Sequence, residues 1–455
     1  MLTQANRAPG PRPDVRSNRG AHRALVLVVA MMLAGTLTLE AGAESQDATP
    51  QKKEPEDELE RQLAEELGEE ESGEQQSEPR ELTDPITVAT GAGGKNYLQL
   101  SLDGLVVAGG SSESDVPGLQ LGSHDPSRRG FTVQNVEVVL SGAVDPYFTA
   151  QANLVFVESP EGETETEVEE IYATTSSLLA SLQLRVGHFF TEFGRLNTQH
   201  PHFWDFVDQP LVNARMLGAD PLRSTGARLS WLMPTPFYSE LYLTIQNAFG
   251  ETLTSFGFVE GEQTFGRPVL ERSVRGAGDL LYVPRYSASF DLTENQTLLF
   301  GLSAALGPNG SGDAGWTNIY GVDSFWKWKS PRAQAGFPFV KVQIEAMQRR
   351  FRADDPVAPA TLEDWGGYAQ VVWGFTRGWV VGARYGKIGG DDGGVPADPL
   401  LEARSRSSAN ATWFPTEFSK LRLQYNHDER GQFEDADSVW LQFEFVLGAH
   451  AAHKF

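Results

Sequence analysis

The sequence predicts an all-β fold, a transmembrane barrel of sixteen antiparallel strands. Apolar and polar residues alternate along many segments of about ten residues, the length that crosses a bilayer as a strand. The connections between these segments are alternately short and long. After residue 43, no apolar run reaches the roughly 18 residues that a membrane-spanning helix needs. Because only helices and closed barrels satisfy every backbone hydrogen bond within lipid, the three observations together favour the barrel.

The last predicted strand shows the alternation most clearly. From Val439 to Phe455 every odd-numbered residue except His453 is apolar, and the residues between them include Gln442 and Glu444. A period of two gives a strand one apolar face and one polar face. A final Phe is typical of the closing strand of bacterial outer-membrane barrels. We therefore expect Phe455 to be an assembly signal for the barrel assembly machinery, and the apolar face to meet outer-membrane lipid.

The amino terminus predicts export. Five arginines end at Arg23, an apolar run covers residues 24–39, and residues 41–43 read Ala-Gly-Ala. This order is typical of a cleaved signal peptide, here residues 1–43. A retained membrane anchor is the alternative, but the apolar run is shorter than the ~20 residues of a spanning helix. The expected location is the outer membrane of a Gram-negative bacterium.

Residues 44–96 form a predicted acidic linker. Residues 44–85 carry sixteen acidic and four basic side chains, a large part of the net charge of −24. Leu59, Leu63 and Leu67 recur every four residues, which could give a short periplasmic helix or trimerising coil. Helices this short are marginal in water, so a solvated linker is favoured.

The barrel is predicted over residues 97–455. The sixteen predicted strands are residues 97–109, 131–140, 147–157, 165–174, 181–189, 226–232, 238–248, 285–292, 296–306, 316–328, 337–349, 363–373, 378–387, 403–413, 418–427 and 438–447. Bacterial barrels have even strand numbers, with short turns at one end and long loops at the other. Sixteen strands leave an aqueous lumen, so we expect a channel for passive diffusion of small hydrophilic solutes or ions.

Composition excludes several other functions. The chain has no cysteine, which rules out disulfides, Cys-ligated metal sites and thiol catalysis. A net charge of −24 without a basic face argues against nucleic-acid binding. No Gly-x-Ser-x-Gly nucleophile elbow is present, so no enzyme activity is expected. Paired carboxylates such as Glu169 with Glu170, and Asp391 with Asp392, are interpreted as solvated loop charge.

One connection, residues 190–225, is unusually long and rich in aromatic residues. A connection of this length in a compact fold is usually functional. Its apolar side chains need a surface to pack against, and the inner wall of the barrel is the simplest one. The loop is therefore predicted to fold inward and to narrow the lumen.

The same region carries a family resemblance. Residues 186–195 read Val-Gly-His-Phe-Phe-Thr-Glu-Phe-Gly-Arg, and residues 205–208 read Asp-Phe-Val-Asp. With His200-Pro201-His202 and the ending 447–455, these segments resemble the phosphate-selective porin O/P family, especially the branch labelled zinc-regulated outer-membrane receptors. The resemblance covers the chain from about Tyr97 onward. It implies a sixteen-stranded porin, commonly a homotrimer, with basic residues along a path for small anions.

The resemblance points to a set of charged residues at the constriction. The candidate basic residues are Arg195, Arg215, Arg223 and Arg228. The acidic residues expected to face them are Glu192, Asp205 and Asp208. Guanidinium groups stay charged and donate two hydrogen bonds to one phosphate. Alternatively, the arginines pair with these acids and with Asp220 and only brace the loop.

The receptor label also implies zinc. His200, His202, Asp205 and Asp208 could supply nitrogen and oxygen ligands. Alternatively, the two histidines anchor the loop structurally. His450 and His453 would lie on opposite faces of the last strand, as polar strand ends. A zinc-responsive binding or uptake receptor is thus the alternative function, although residues 44–96 are too few and too polar for a plug. A tether that uses the acidic segment is a third.

Overall fold

The computed structural model describes residues 86–90, 96–159, 162–176, 178–250, 252–257, 263–270, 273–354, 360–391 and 401–448. All of them belong to the second of two units into which the chain divides, Pro79–Phe455. The predicted signal peptide, most of the predicted linker, and His450, His453 and Phe455 lie outside the described residues.

Nineteen strands follow one another along the described chain. They are β1 Ile86–Thr90, β2 Tyr97–Ser111, β3 Gly130–Ala143, β4 Phe148–Glu158, β5 Thr164–Thr175, β6 Leu182–Phe190, β7 Arg223–Leu232, β8 Tyr238–Asn247, β9 Gln263–Thr264, β10 Arg267–Pro268, β11 Leu280–Thr293, β12 Gln296–Pro308, β13 Trp316–Gln334, β14 Phe337–Arg352, β15 Thr361–Thr376, β16 Trp379–Gly390, β17 Arg404–Thr416, β18 Ser419–Arg430 and β19 Ala436–Leu447. The described residues contain two α-helices, α1 Val116–Leu119 and α2 Leu211–Leu217.

Sixteen of these strands close into one antiparallel barrel, as predicted. Strands β2–β8 and β11–β19 each pair with their neighbours along the chain. Strand β8 pairs with β11, and β19 pairs with β2, so the ring has no free edge. Each predicted strand overlaps one of the sixteen. Two short strands stand apart from the ring, since β9 and β10 pair with each other. Strand β1 lies in the predicted linker and pairs with β2.

The barrel is apolar outside and polar inside. Along β19, Leu441 and Phe443 face outward and are 48% and 43% exposed, whereas Gln442 and Glu444 face inward and are 1% and 0% exposed. A soluble protein places these residue types the other way round, because apolar burial drives folding in water. The outward face therefore suits lipid, and the inward face suits a polar lumen.

Aromatic side chains mark two rims on the outer surface. Trp365 lies toward one end of β15, and Trp373 lies toward the other end, where Trp379 stacks on Trp413 at 6.1 Å between ring centroids. At ~3.3 Å per residue and a strand tilt of about 40°, Trp365 and Trp373 are about 20 Å apart along the barrel axis. This separation is close to the ~25 Å height of the apolar band in outer-membrane barrels.

The two ends of the barrel differ in their connections. Tight turns such as residues 294–295, 335–336 and 377–378 join strands at one end. Three long loops lie at the other end: L1 (residues 112–129), L3 (residues 191–222) and L4 (residues 248–279). Outer-membrane barrels have short periplasmic turns and longer extracellular loops. None of the helices in the described residues has the length and apolar character that a membrane crossing demands.

Replacing Leu441 by arginine tests whether the outward face meets lipid. Leu441 lies near the middle of β19, so Leu441→Arg should lower the free energy of unfolding by about 2–4 kcal/mol. Leu447→Arg, near the end of the strand and similarly exposed, should cost at most about 1 kcal/mol. Urea unfolding in lipid vesicles, followed by tryptophan fluorescence, measures both changes. Equal losses for the two variants would contradict a lipid-facing Leu441.

Candidate functional site: loop L3 and the lumen

Loop L3 crosses the barrel interior. It starts after β6, yet the Gly194 amide donates to Ser303 Oγ on β12 at 3.1 Å. The Leu196 amide donates to Glu345 Oε1 on β14 at 2.9 Å. Further along, Lys420 Nζ on β18 donates to the carbonyl oxygen of His202 at 2.8 Å. L3 therefore reaches the wall opposite its own strands, in agreement with the predicted inward fold.

Asp208 is a main attachment point of L3. Its carboxylate pairs with Arg384 on β16 and lies 2.7 Å from Arg406 Nη1 on β17. Gln424 and Asn426 on β18 donate to the same carboxylate at 2.7 and 2.8 Å. Burial acts to raise the pKa of Asp208, but the two guanidinium groups outweigh it and hold that pKa below its usual value. Asp208 is therefore a charged anchor.

Helix α2 attaches the second half of L3 to the barrel wall. The helix follows Pro210 and ends at Leu217, and the next residue, Gly218, has a φ of 124° that suits a glycine at a helix end. From the helix, Arg215 Nε lies 2.9 Å from Asp364 Oδ2 on β15. Arg349 on β14 lies 2.6 Å from the same carboxylate oxygen and donates to the Arg215 carbonyl at 3.0 Å. The helix is thus fixed to the wall by a buried Arg–Asp–Arg group.

Three of the four predicted pore arginines are buried in ion pairs. Arg215 pairs with Asp364, Arg223 with Glu167, and Arg228 with Glu192. Arg223 also lies 3.8 Å from Asp220. The ion pairs of these three arginines match the alternative in which the arginines pair with carboxylates and brace the loop. The Arg228–Glu192 and Arg223–Asp220 pairs involve carboxylates named from the sequence, whereas Asp364 and Glu167 are additional partners.

Arg195 differs from the other three. Its guanidinium carbon lies 3.9 Å from the centroid of the Phe325 ring, and Arg195 lines a cavity of about 450 Å³ between L3 and the short-turn end of the barrel. This cavity, here called the vestibule, has five basic lining residues: Arg195, Lys327, Lys341, Lys420 and Arg422. Asp205 is its one acidic lining residue and lies 2.6 Å from Lys341 Nζ.

The basic side chains of the vestibule outnumber their acidic ion-pair partners. Lys341 pairs with Asp205, and Lys420 pairs with Glu444. Within the described part of the chain, Arg195, Lys327 and Arg422 form no ion pair. Lys327, Lys341, Lys420 and Arg422 were not among the residues predicted from the sequence. An available signal was the polar alternation along β18, where Lys420, Arg422, Gln424 and Asn426 all face inward.

The histidines of L3 lie against the opposite wall. His200 Nδ1 is 2.9 Å from Glu169 Oε2 on β5 and 3.3 Å from Glu137 Oε1 on β3, and its Nε2 is 3.0 Å from Glu170 Oε2. His202 Nδ1 is 3.1 Å from Glu137 Oε2. Asp205 and Asp208, the other predicted zinc ligands, face Lys341 and Arg384 instead, because strands β14 and β16 present cations there.

Glu169 and Glu170 require a correction, because both are buried and not solvated. In the pairing of β4 with β5, Asn153 faces Glu170 and Leu154 faces Val168, which leaves Glu169 as the extra residue of a β-bulge. A bulge places two successive side chains on one face. Both carboxylates therefore point into the barrel, an outcome that regular alternation does not predict.

Loop L1 adds a third histidine to this wall. His124 Nε2 lies 3.3 Å from Asp220 Oδ1 and 3.4 Å from Glu169 Oε1. Burial acts to lower the pKa of His124, but the two carboxylates outweigh it and raise that pKa to about 10. Burial acts to raise the pKa of Asp220, but His124, Arg223 and Ser123 together outweigh it and lower that pKa to about 2. L1 and L3 are therefore joined by a charged pair.

Removing the Asp208 carboxylate should detach part of L3. Asp208→Ala leaves Arg384 without an ion-pair partner in a buried place, which should cost about 3–5 kcal/mol of unfolding free energy. The control Asp313→Ala breaks an exposed pair with Arg275 and should cost at most about 1 kcal/mol. Urea unfolding in vesicles measures both, and limited proteolysis reports whether L3 has loosened. A loss for Asp208→Ala no larger than the control would show that Asp208 is not an anchor.

Comparison with known proteins gives the fold and one relative. No protein-family model matches the chain. Among solved structures, the outer membrane channel DcaP of Acinetobacter baumannii is 10% identical with a TM-score of 0.54, over 79% of this chain and 100% of that one. An anion-selective porin from Comamonas acidovorans is 11% identical with a TM-score of 0.50, over 77% and 100%. These structures have the same barrel fold, that of outer-membrane porins.

A sequence relative is an uncharacterized protein of Aquifex aeolicus (strain VF5). It is 34% identical over 392 residues, which cover 79% of each chain. The chain therefore belongs to the same family as this Aquifex protein, and its barrel has the fold of outer-membrane porins.

Proposed function

We propose that the protein is a channel of the bacterial outer membrane through which small hydrophilic solutes or ions diffuse passively. The observation that carries this proposal is the closed sixteen-stranded wall, apolar outside and polar inside. A wall of this size encloses an aqueous lumen that side chains alone do not fill. Export by residues 1–43, the Phe455 assembly signal and assembly into a homotrimer belong to the same proposal.

L3 is the proposed constriction. It crosses from β6 to strands β12, β14 and β18, so a diffusing solute must pass beside it. Ion pairs at Asp208 and Arg215 hold the loop at two places along its length. The size limit of the channel then follows from the position of L3 against the wall.

The charge of the vestibule favours small anions. Arg195, Lys327 and Arg422 contribute three positive charges without ion-pair partners among the described residues. A surplus of one sign in a narrow, low-dielectric passage raises the local concentration of the opposite ion. Guanidinium groups also match the planar, bidentate geometry of phosphate and carboxylate oxygens. We propose inorganic phosphate and other small oxyanions as solutes.

The charges also divide across the lumen. Glu137, Glu169 and Glu170 lie on the wall formed by β3–β5. Four vestibule cations lie on strands β13, β14 and β18, and Arg195 of L3 contacts Phe325 on β13. Anions are therefore expected to follow the β13–β18 side. The net negative charge of the whole chain does not oppose this preference, because charges in the lumen act over short distances in salt solution.

Planar-bilayer recordings of the refolded full-length protein test the channel. Insertion of the protein should give discrete, long-lived conductance steps, because an aqueous lumen conducts ions without a conformational change. A heat-modifiable band on a detergent gel confirms that the inserted protein is a folded barrel. A folded barrel that inserts but does not conduct would overturn the proposed function in favour of a receptor or a tether.

Reversal potentials test the charge preference. In a tenfold KCl gradient, a perfectly selective channel has a reversal potential of ~59 mV in magnitude. The reversal potential of the wild type should have the sign that anion selectivity gives. Arg195→Ala and Lys327→Ala should each move the reversal potential toward the cation side. The control Arg275→Ala removes an exposed cation of L4 outside the vestibule and should leave it unchanged. Equal reversal potentials in all four proteins would remove the vestibule from the ion path.

A further inference from the structure

A group of buried side chains on the β3–β5 wall has the composition of a metal site. His200 Nδ1, one oxygen of Glu137 and one oxygen of Glu169 all lie within 4.8 Å of one another. All three residues are at most 6% exposed. A tetrahedral ion with bonds of about 2.0–2.1 Å holds its ligand atoms roughly 3.3 Å apart. The distances of 2.9 and 3.3 Å from His200 Nδ1 to the two carboxylates are close to that spacing.

The surroundings of these three residues would orient them as ligands. The second ring nitrogen of His200 lies 3.0 Å from Glu170 Oε2. Metal-bound histidines usually donate their other N–H to a carboxylate in this way, which fixes the tautomer and the ring. Asn153 Nδ2 donates to Glu137 Oε1. The bulge in β5 is what brings Glu169 and Glu170 to the same histidine from the same face.

Several polar atoms in the group have no hydrogen bond. Glu169 Oε1, Glu137 Oε2 and both ring nitrogens of His202 are buried without a partner of acceptable geometry. His202 is 1% exposed, stacks on His200 at 5.8 Å between ring centroids, and directs Nδ1 toward Glu137 Oε2. A buried polar atom without a partner is costly, and an unoccupied coordination position is one explanation for it. His202 is thus placed to act as a fourth ligand.

The charge of the group also suits a dication. Glu137, Glu169 and Glu170 converge on the His200 ring, which supplies at most one positive charge, and His124 lies 3.4 Å from the other oxygen of Glu169. Buried carboxylates are normally paired or bound to metal, because an unpaired buried charge is expensive. The mixture of imidazole and carboxylate donors is typical of zinc and of other divalent first-row transition metals.

We propose that Glu137, Glu169 and His200, with His202 as the fourth ligand, bind one divalent transition-metal ion between L3 and the wall. The ion joins the loop to strands β3 and β5, on the side of the lumen opposite to the Asp208 anchor. Glu137, Glu169 and His200 lie outside the vestibule, whereas His202 also lines it. The proposed site differs from the sequence-derived ligand set by replacing Asp205 and Asp208 with Glu137 and Glu169.

Cobalt titration of the full-length protein tests the site. After chelator treatment in detergent, Co²⁺ should give visible absorption bands of a four-coordinate site that saturate at one equivalent. Zn²⁺ should abolish these bands, and Mg²⁺ should not, because Mg²⁺ prefers six oxygen ligands. A wild-type protein without a saturable band at one equivalent would overturn the proposal.

Matched variants locate the ion. His200→Gln and Glu169→Gln should each weaken Co²⁺ binding by at least about tenfold. His188→Gln removes a histidine of β6 that lies 3.2 Å from Thr225 Oγ1 and, among the described residues, stands outside the group of possible ligands, so it should bind like the wild type. Asp205→Asn should also bind like the wild type. Equal affinity in His200→Gln and His188→Gln would refute the assignment.

A more conservative substitution tests the site if the two ligand variants do not fold. If His200→Gln and Glu169→Gln lack the heat-modifiable gel band, Glu170→Gln decides the question. Glu170 contacts the His200 ring at its far nitrogen, and its other oxygen accepts from the Phe190 amide. Glu170→Gln therefore keeps the ligands and should weaken Co²⁺ binding about 10–100-fold. Unchanged affinity in a folded Glu170→Gln protein would overturn the proposed coordination.

Discussion

The structure depends on one constraint: lipid offers no partner for a backbone N–H or C=O group. The ring meets this constraint by pairing β8 with β11 and β19 with β2, so no strand edge is left open. Closure then decides where each side chain lies. Alternate residues must face lipid or the lumen, and the exposed leucines and phenylalanines of β19 and the buried glutamine and glutamate between them follow from that geometry. L4 can be long because it starts at the end of β8 and finishes at the start of β11, on the same rim of the barrel.

A polar lumen creates a second requirement, since its charged side chains must be paired or solvated. L3 supplies many of the partners. Asp208 neutralises Arg384 and shares Arg406 with Asp428, while Arg215 and Arg349 share Asp364. The wall therefore fixes the loop, and the loop completes the pairing of the wall. This mutual dependence explains why a segment of 32 residues between β6 and β7 contains little regular secondary structure yet is largely buried.

Much of the fold could be predicted from the sequence, because strand alternation and tight turns are local signals. The inward course of L3 was also predictable, since its aromatic residues need a surface. The partners of L3 were not, because residues as distant as Asp208 and Arg406 meet only through the register of the closed ring. The bulge at Glu169 interrupts alternation without any glycine to mark it, and so two buried carboxylates were taken for solvated ones. Lys327 and Arg422, by contrast, occupy regular inward positions and could have been found.

The buried ion pairs of L3 determine how the loop responds to a membrane potential. Breaking one of its buried ion pairs costs about 3–5 kcal/mol. A potential of 100 mV supplies only ~2.3 kcal/mol to each elementary charge that crosses the whole membrane. The loop is tied to β15, β16 and β17 at once, so a displacement would have to disrupt several pairs together. A membrane potential of this size therefore does not supply enough energy to release L3 from the wall, and the loop keeps one position across that range.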